Sequence, residues 1–311
     1  MPHIREKDLR SLSKNLLILW NKALKNGIIN FDPRNPNNYK EIKIGKYIKR
    51  IIPDRISKFS EKMSDELLPV KLPFSYKLNN FDYTKTKTSQ KLLQINLVTG
   101  KYFIFASNSP LSIEPHCLLI PYKNRGQFIR KVDIKTCNKI LKYNPKTVFI
   151  FSSLAGGAGV NHMHIHLIPQ LNKYPTLYAT KIKILSIKNK MNIYKLINWK
   201  SDLIIIEGKN NKLLKFTFSI INELQKNNIP HNILIKNGQI WINPRSRKKC
   251  TTFKNKKMGS WETILGICNC CSFKEYTAMT EIKFEKCLTE IMMNKKENNF
   301  VNKIINKYFK K

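Results

Sequence analysis

Histidine is scarce in this chain, with six in 311 residues, and so are acidic groups: 20 Asp and Glu stand against 57 Lys and Arg, for a formal net charge of +37. Long apolar runs are missing as well. No segment approaches the roughly 18 uninterrupted apolar residues of a membrane-spanning helix, and the opening "MPHIREKDLR" has no apolar stretch of the kind a signal peptide needs. The expectation is a soluble, cytoplasmic protein with no membrane partner. Cysteine is present in an odd number, seven, and Cys117, Cys137, Cys250 and Cys287 are scattered without regular spacing, as expected of thiols kept reduced. The cluster "CNCC" at 268–271 lacks the two-residue spacing and second pair of a zinc knuckle, so it reads as small apolar side chains in a packed helix or strand.

The positive charge would ordinarily point to nucleic acid. Its distribution argues otherwise. Lysine recurs with asparagine and isoleucine along the whole chain, as in "KIKILSIKNKMNIYKLINWK", rather than in one stripe, and arginine, the better bidentate phosphate reader, is sparse. A solvated lysine surface is expected, with no nucleic-acid partner, although such a field still draws in an anionic substrate.

The organisation reads as α+β. Apolar positions in "LSKNLLILWNKALKNGII" recur at helical spacing with Trp20 on the apolar face and Gly27 at the stop. Residues 31–62 mix proline with basic residues and read as a loop or extended arm, a candidate lid or linker. "KLLQINLV", "YFIFAS", "CLLIPY" and "TVFIFSS" read as strands of one antiparallel sheet, with a helix in "IRKVDIKTCNKILKYN". A second half repeats the plan: "DLIIIEG", a helix in "LLKFTFSIINELQKNN", then "HNILIKNGQIWINPR", in which Asn237-Gly238 is a two-residue hairpin signal. The expected divisions are an N-terminal helix and arm (1–70), a first half (71–190), a second half (191–290) and a polar tail (291–311) read as a fraying helix.

Half of the six histidines fall in five positions of "GGAGVNHMHIHLIPQ", at His162, His164 and His166. In a strand, alternate side chains share a face, so these three would line one face while Met163, Ile165 and Leu167 anchor the other. Three readings compete for the histidine face. Zinc needs a further ligand that the strand does not supply. Imidazoles held only by structural hydrogen bonds would be a costly way to build a core. The third is nucleophilic catalysis, in which a neutral imidazole attacks phosphorus. The glycine turn "AGGAG" directly before the histidines lets backbone N–H groups approach an anion, which favours the third reading.

"HMHIHLIP" resembles the His-x-His-x-His motif of the histidine-triad superfamily, and "HCLLIPY" resembles the strand that precedes it there. Further stretches, "LPFSYKLNNFDYTKTKTSQKLL", "SPLSIEPHCLLIP", "GVNHMHIH", "HNILIKNGQIWINPR" and "WETILGICNCCSFKEYTAMTE", follow the order of the GDP-hexose phosphorylase family across most of residues 70–285. The N-terminal part is similar more loosely, through Trp20, Gly27 and "IIPDR".

The resemblance implies a histidine-triad-like α+β fold of the galactose-1-phosphate uridylyltransferase type, with two antiparallel-sheet halves. It implies cleavage of a GDP-hexose, GDP-D-glucose foremost, by inorganic phosphate, with no cofactor or metal, and a homodimer formed by strand-edge pairing is in keeping with it. His164 would be the nucleophile, carrying a guanylyl group between two transfers. His162 would position its ring through the backbone carbonyl, and His166 would contact phosphate. Asn161 would fix the turn or bind an oxygen, and Gly157 and Gly159 would form the cradle. Lys85, Arg55 and Arg245 are candidate cations for the phosphates, Phe81 and Tyr83 could pack on the nucleotide side, and His116 and His231 read as structural.

Two departures from the family stand out. The arm "YKEIKIGKYIKRIIPDRISKFSEK" is poor in arginine, and the third triad position is histidine where several transferases of the superfamily carry glutamine. The alternatives left open are a histidine-triad hydrolase acting on a nucleotide or adenylated nucleic acid, and a guanine-nucleotide binder without turnover.

Overall fold

The computed structural model describes residues 1–29, 32, 35, 40–51, 83, 88–107, 115–123, 125–154, 156–158, 160–170, 174–187, 191–208, 210–246, 261, 265–270, 273–292 and 295–309. The N-terminal reading holds with one refinement. A short strand β1 (His3–Arg5) and a 3-10 turn precede helix α1 (Leu12–Lys25). Leu12, Leu16 and Trp20 are buried on one face of α1, a gain of about 1.5–3 kcal/mol for each large side chain. The helix stops at Gly27, whose φ of 67° lets the Gly27 and Ile28 N–H groups turn back onto the carbonyls of Leu24 and Ala23.

The arm differs from the expectation of a loop. Residues 40–51 form a hairpin of β2 (Lys40–Ile44) and β3 (Tyr47–Ile51). Alternation in "KEIKIGKYIKRI" around Gly45 carries this hairpin, and Tyr47 and Ile51 are buried.

The strands read in the first half are present as β4 (Lys91–Leu97), β5 (Gly100–Ala106), β6 (Cys117–Pro121) and β7 (Val148–Ser152), with α2 (Lys131–Tyr143) before β7. The side chain of Asp133, in the first turn of α2, accepts from the Arg130 N–H at 2.7 Å, a capping contact that fixes where the helix starts. The histidine segment supplies β8 (Ile165–Ile168), followed by a helical turn, α3 (Pro175–Tyr178). The lysine-rich stretch after it, which reads as surface drift from composition, is a hairpin of β9 (Lys181–Ile187) and β10 (Met191–Leu196). Next come β11 (Ile204–Gly208), α4 (Asn210–Lys226), β12 (His231–Lys236) and β13 (Gln239–Pro244). β12 and β13 meet at the Asn237-Gly238 turn, where Gly238 has φ 71°.

The strands form one continuous sheet rather than two separate ones, and β9, before residue 190, lies at the far edge beyond β10 and β11. β7 pairs antiparallel with β12, giving one eleven-stranded sheet in the order β1-β4-β5-β6-β8-β7-β12-β13-β11-β10-β9. A three-stranded sheet joins β2 and β3 to β14 (Ile267–Cys270). There Cys268 and Cys270 are buried beside Tyr47 and Phe284, so the cysteine cluster contributes to a packed strand. The chain ends in α5 (Phe273–Ala278), α6 (Glu281–Ile291) and α7 (Lys295–Phe309). Instead of fraying, α7 packs on α4 and buries Val301 and Ile304. No described helix is long and apolar enough to cross a membrane.

The main core lies on one face of the large sheet and holds Phe149, Phe151, Ile165, Leu167, Ile233 and Ile242, covered by α1, α2 and α4. The opposite face carries Ile150, Leu234, Trp241 and Trp261 in a separate cluster. The histidines open onto that second face.

Candidate active site

Local backbone geometry separates the histidines from a plain strand. β8 begins only at Ile165, so His166 lies within it while His162 and His164 lie in the segment leading in. The cause is Gln127, whose side chain occupies the place of a partner strand. Gln127 Oε1 accepts from the His164 N–H at 2.9 Å, and its Nε2 donates to the His164 carbonyl at 3.2 Å and to the Ser152 carbonyl at 2.8 Å. The alternation nonetheless continues through the segment: Met163, Ile165 and Leu167 are all in the main core, as expected.

His164 is the best-defined group of the site. Its Nδ1 lies 2.8 Å from the His162 carbonyl oxygen. A carbonyl can only accept, so Nδ1 carries the proton and Nε2 carries the lone pair. Burial lowers the ring's pKa from the usual 6.5 to about 4, with the His162 carbonyl partly opposing the shift. His164 is therefore neutral at physiological pH, the form a nucleophile needs. His162 is fully buried and accepts the Tyr83 N–H on Nδ1 at 3.3 Å. Tyr83 packs across both rings, with centroids 5.0 Å from His162 and 5.6 Å from His164, and it also touches Phe105.

His166 sits 5.4 Å from His164, ring to ring, and its Nδ1 is 2.9 Å from His116 Nε2. Trp261 covers this pair, at 5.7 Å from the His166 ring and 6.4 Å from that of His116. His116, read from sequence as structural, thus orients the third histidine.

The glycine turn is held from behind. Asn161 Oδ1 accepts the Gln127 N–H at 3.0 Å, which ties the segment just after the turn to Gln127. The Gly156 carbonyl accepts from Asn232 Nδ2 at 2.7 Å and from an Arg245 guanidinium nitrogen, Nη1, at 3.0 Å. A side chain at Gly156 would put its Cβ 2.6 Å from Ser153 Oγ and 2.7 Å from the His231 carbonyl oxygen, so the close approach itself demands glycine. Gly157 follows with φ 115° and is exposed. Arg245 is only 6% exposed, and burial lowers its pKa to about 10.

The structure therefore brings His162, His164 and His166 together, holds Arg245 on the Gly156 carbonyl beside Gly157, and joins Asn161 to Gln127, which also bonds the His164 backbone. Gly159, Lys85, Arg55 and Phe81 lie outside the described residues. Gln127, Gly156 and Asn232 belong to the same site and were not singled out by sequence. Gln127 and Asn232 are isolated amides with no motif around them, whereas Gly156 was available in the doublet. Among the described residues no group of three or more His, Cys, Asp or Glu side chains is arranged to hold a metal ion.

Another buried histidine, His231, also has its pKa lowered to about 4 by burial. Both histidines have folded-state values below the unfolded value near 6.5. As pH falls from about 6.5 towards 4, the unfolded chain takes up protons that the folded chain does not, and stability drops by about 1.4 kcal/mol per pH unit for each. Urea unfolding followed from pH 7.5 to 4.5 should show the midpoint falling steadily below pH 6.5, and a flat midpoint would contradict the assigned neutral rings.

Residues 175–311 match the family described as GDPGP1-like, C-terminal domain. The chain is 29% identical over 185 residues to GDP-L-galactose phosphorylase 2 of Arabidopsis thaliana, covering 51% of this chain and 43% of that protein. It is 28% identical over 180 residues to GDP-D-glucose phosphorylase 1 of Danio rerio, covering 56% of this chain and 51% of that protein. The matches thus span about half the length of these curated relatives. Among solved structures, the yeast Ap4A phosphorylase Apa2 in complex with Ap4A superposes with a TM-score of 0.63, covering 90% of this chain and 96% of its own, at 12% identity. Another structure of yeast Ap4A phosphorylase Apa2 superposes with a TM-score of 0.62, covering 91% of this chain and 97% of its own, at the same identity. At that identity the likeness is one of fold.

Proposed function

We propose that this chain, whose matches support the GDP-hexose phosphorylase family, cleaves GDP-D-glucose with inorganic phosphate to give GDP and D-glucose 1-phosphate. The observation that carries the reading is the hydrogen bond from His164 Nδ1 to the His162 carbonyl, which leaves Nε2 of a neutral ring as the nucleophile.

In the first step Nε2 attacks the α-phosphorus. The bond from that phosphorus to the bridging oxygen breaks, and hexose 1-phosphate leaves, with GMP on His164. In the second step an oxygen of inorganic phosphate attacks the same phosphorus, the P–N bond breaks, and GDP departs. His166, oriented by His116, contacts the phosphate oxygens, while the Gly157 N–H, in a turn whose Gly156 N–H is held by the Ser153 carbonyl at 2.9 Å, provides a fixed dipole for the charge that develops there. Arg245 serves from behind, as a cation on the Gly156 carbonyl that keeps the turn in place. Tyr83 and Phe105 give an aromatic flank suited to a planar base. The uridylyltransferase-type arrangement of the halves is part of the same reading.

The test is to incubate the protein with GDP-D-glucose, with and without phosphate, and to resolve nucleotide products by ion-exchange chromatography. GDP formed only with phosphate is expected. GMP formed without phosphate would make the enzyme a hydrolase, and no product at all would overturn the substrate assignment.

A further inference from the structure

Beyond His164 the sheet carries a polar row whose free amide oxygens take no part in the proposed phosphorus chemistry. By strand register, Ile150 opposes His166, Ser152 opposes Asn232, and Asn232 opposes Asn243. Strands lie about 4.8 Å apart, which puts Asn232 and Asn243 roughly 10 and 14 Å from the histidines, across the same sheet. Both amides face the side that carries Leu234 and Trp261, the side onto which the histidines open.

Each is 5% exposed, and each has an Oδ1 with no hydrogen-bond partner among the described residues. Two such oxygens side by side in a folded protein are costly unless a ligand completes them. The chemistry of that ligand follows from Asn232. Its Nδ2 is committed to two oxygens, Ser152 Oγ at 2.8 Å and the Gly156 carbonyl at 2.7 Å. The atom it turns away is therefore an acceptor, which repels phosphate oxygens and needs an O–H or N–H donor. The opposite flank of His164 is aromatic, through Tyr83 and Phe105, and suits the base. The amides then fall where the leaving half of the substrate must extend, one bridging phosphate beyond the α-phosphorus.

We infer that Asn232 and Asn243 form a hexose subsite, accepting hydrogen bonds from sugar hydroxyls and setting which sugar is used. The assignment rests on the proposed phosphorylase reading and adds the residues that select the sugar. Asn232 is tied to the turn, so Asn243, whose side chain has no hydrogen bond among the described residues, is the position to test.

The experiment compares wild type and Asn243→Ala for kcat/KM with GDP-D-glucose and phosphate, for GMP affinity by calorimetry, and for melting temperature. The expected result is a fall of roughly tenfold or more in kcat/KM, with GMP affinity and melting temperature unchanged. A kcat/KM within about twofold of wild type, or a parallel loss of GMP affinity, would overturn the hexose assignment while leaving an active wild type as support for the phosphorylase reading. A wild type that binds GMP but turns over no GDP-D-glucose would overturn that reading, and the hexose assignment with it.

Discussion

His164→Asn is expected to abolish turnover, lowering kcat by about 10⁴-fold or more while the protein still folds and binds GMP. The size of the loss follows from the site's division of labour. Neighbouring groups orient and stabilise, but in the proposed reaction only Nε2 of His164 forms a bond to phosphorus, and asparagine offers no nucleophile there. Folding should survive because Asn243, Ser152 and the main-core residues Met163 and Ile165 do not depend on the imidazole, and the Gln127 bonds are to the His164 backbone. Stopped-flow or steady-state assays across pH check the same point from another side. With a ring pKa near 4, the first transfer should keep its rate as pH falls well below 6.5, where an ordinary histidine would already be protonated.

The second large effect is at Gly156. Gly156→Ala should cost about 2–4 kcal/mol of stability and, in protein that still folds, lower kcat/KM by roughly 10²-fold. The new methyl would meet Ser153 Oγ at 2.6 Å and the His231 carbonyl at 2.7 Å. Neither neighbour can yield easily. Ser153 Oγ accepts the His231 N–H at 2.8 Å and donates to the Leu154 carbonyl at 3.0 Å, and His231 is a strand residue paired with β13. The turn itself would have to move, breaking the contacts from Asn232 and Arg245 and shifting the cradle away from His164. Urea unfolding and kinetics on the same preparation separate the two losses. An alanine variant with wild-type stability and activity would contradict the packing described for this turn.

Much of this was legible in the residues because local patterns and tertiary needs agree. Alternation in "TVFIFSS" and "HNILIKNGQIWINPR" encodes strands whose two faces end in two different apolar clusters, and the glycine doublet before the histidines encodes a tight turn, with Gly156 in close contact and Gly157 at positive φ. Where the signal was weak, the physics lies in long-range pairing. The β2–β3 hairpin is partnered by β14, more than 200 residues later, so its short alternation gains meaning only in the assembled sheet. The β9–β10 hairpin sits at the sheet's edge, where lysines and half-exposed isoleucines hide a strand pattern behind composition, as edge strands commonly do. Helix α7 has few apolar residues, yet Val301 and Ile304 suffice to dock it on α4.

The same distinction runs through the site. Histidine spacing announced His162, His164 and His166, but their hydrogen-bond roles depend on partners far away in sequence. Gln127 lies 37 residues before His164 and imitates a strand for it, and His116 lies 50 residues before His166 and grips its Nδ1. Nothing local to a single glutamine or histidine specifies such an encounter. Arg245 was legible as a candidate cation, whereas its contact with the Gly156 carbonyl, 89 residues away, comes only from the fold.

The most direct test of the account is to look for the guanylylated histidine itself. Wild type and His164→Asn are mixed with GDP-D-glucose in phosphate-free buffer, quenched at neutral to alkaline pH, digested and examined by mass spectrometry. The account predicts one added GMP group on the wild-type peptide that carries His164, absent from the variant and discharged as GDP when phosphate is added before the quench. Phosphate-dependent GDP formation with no adduct on that peptide, or an adduct that persists in His164→Asn, would contradict it.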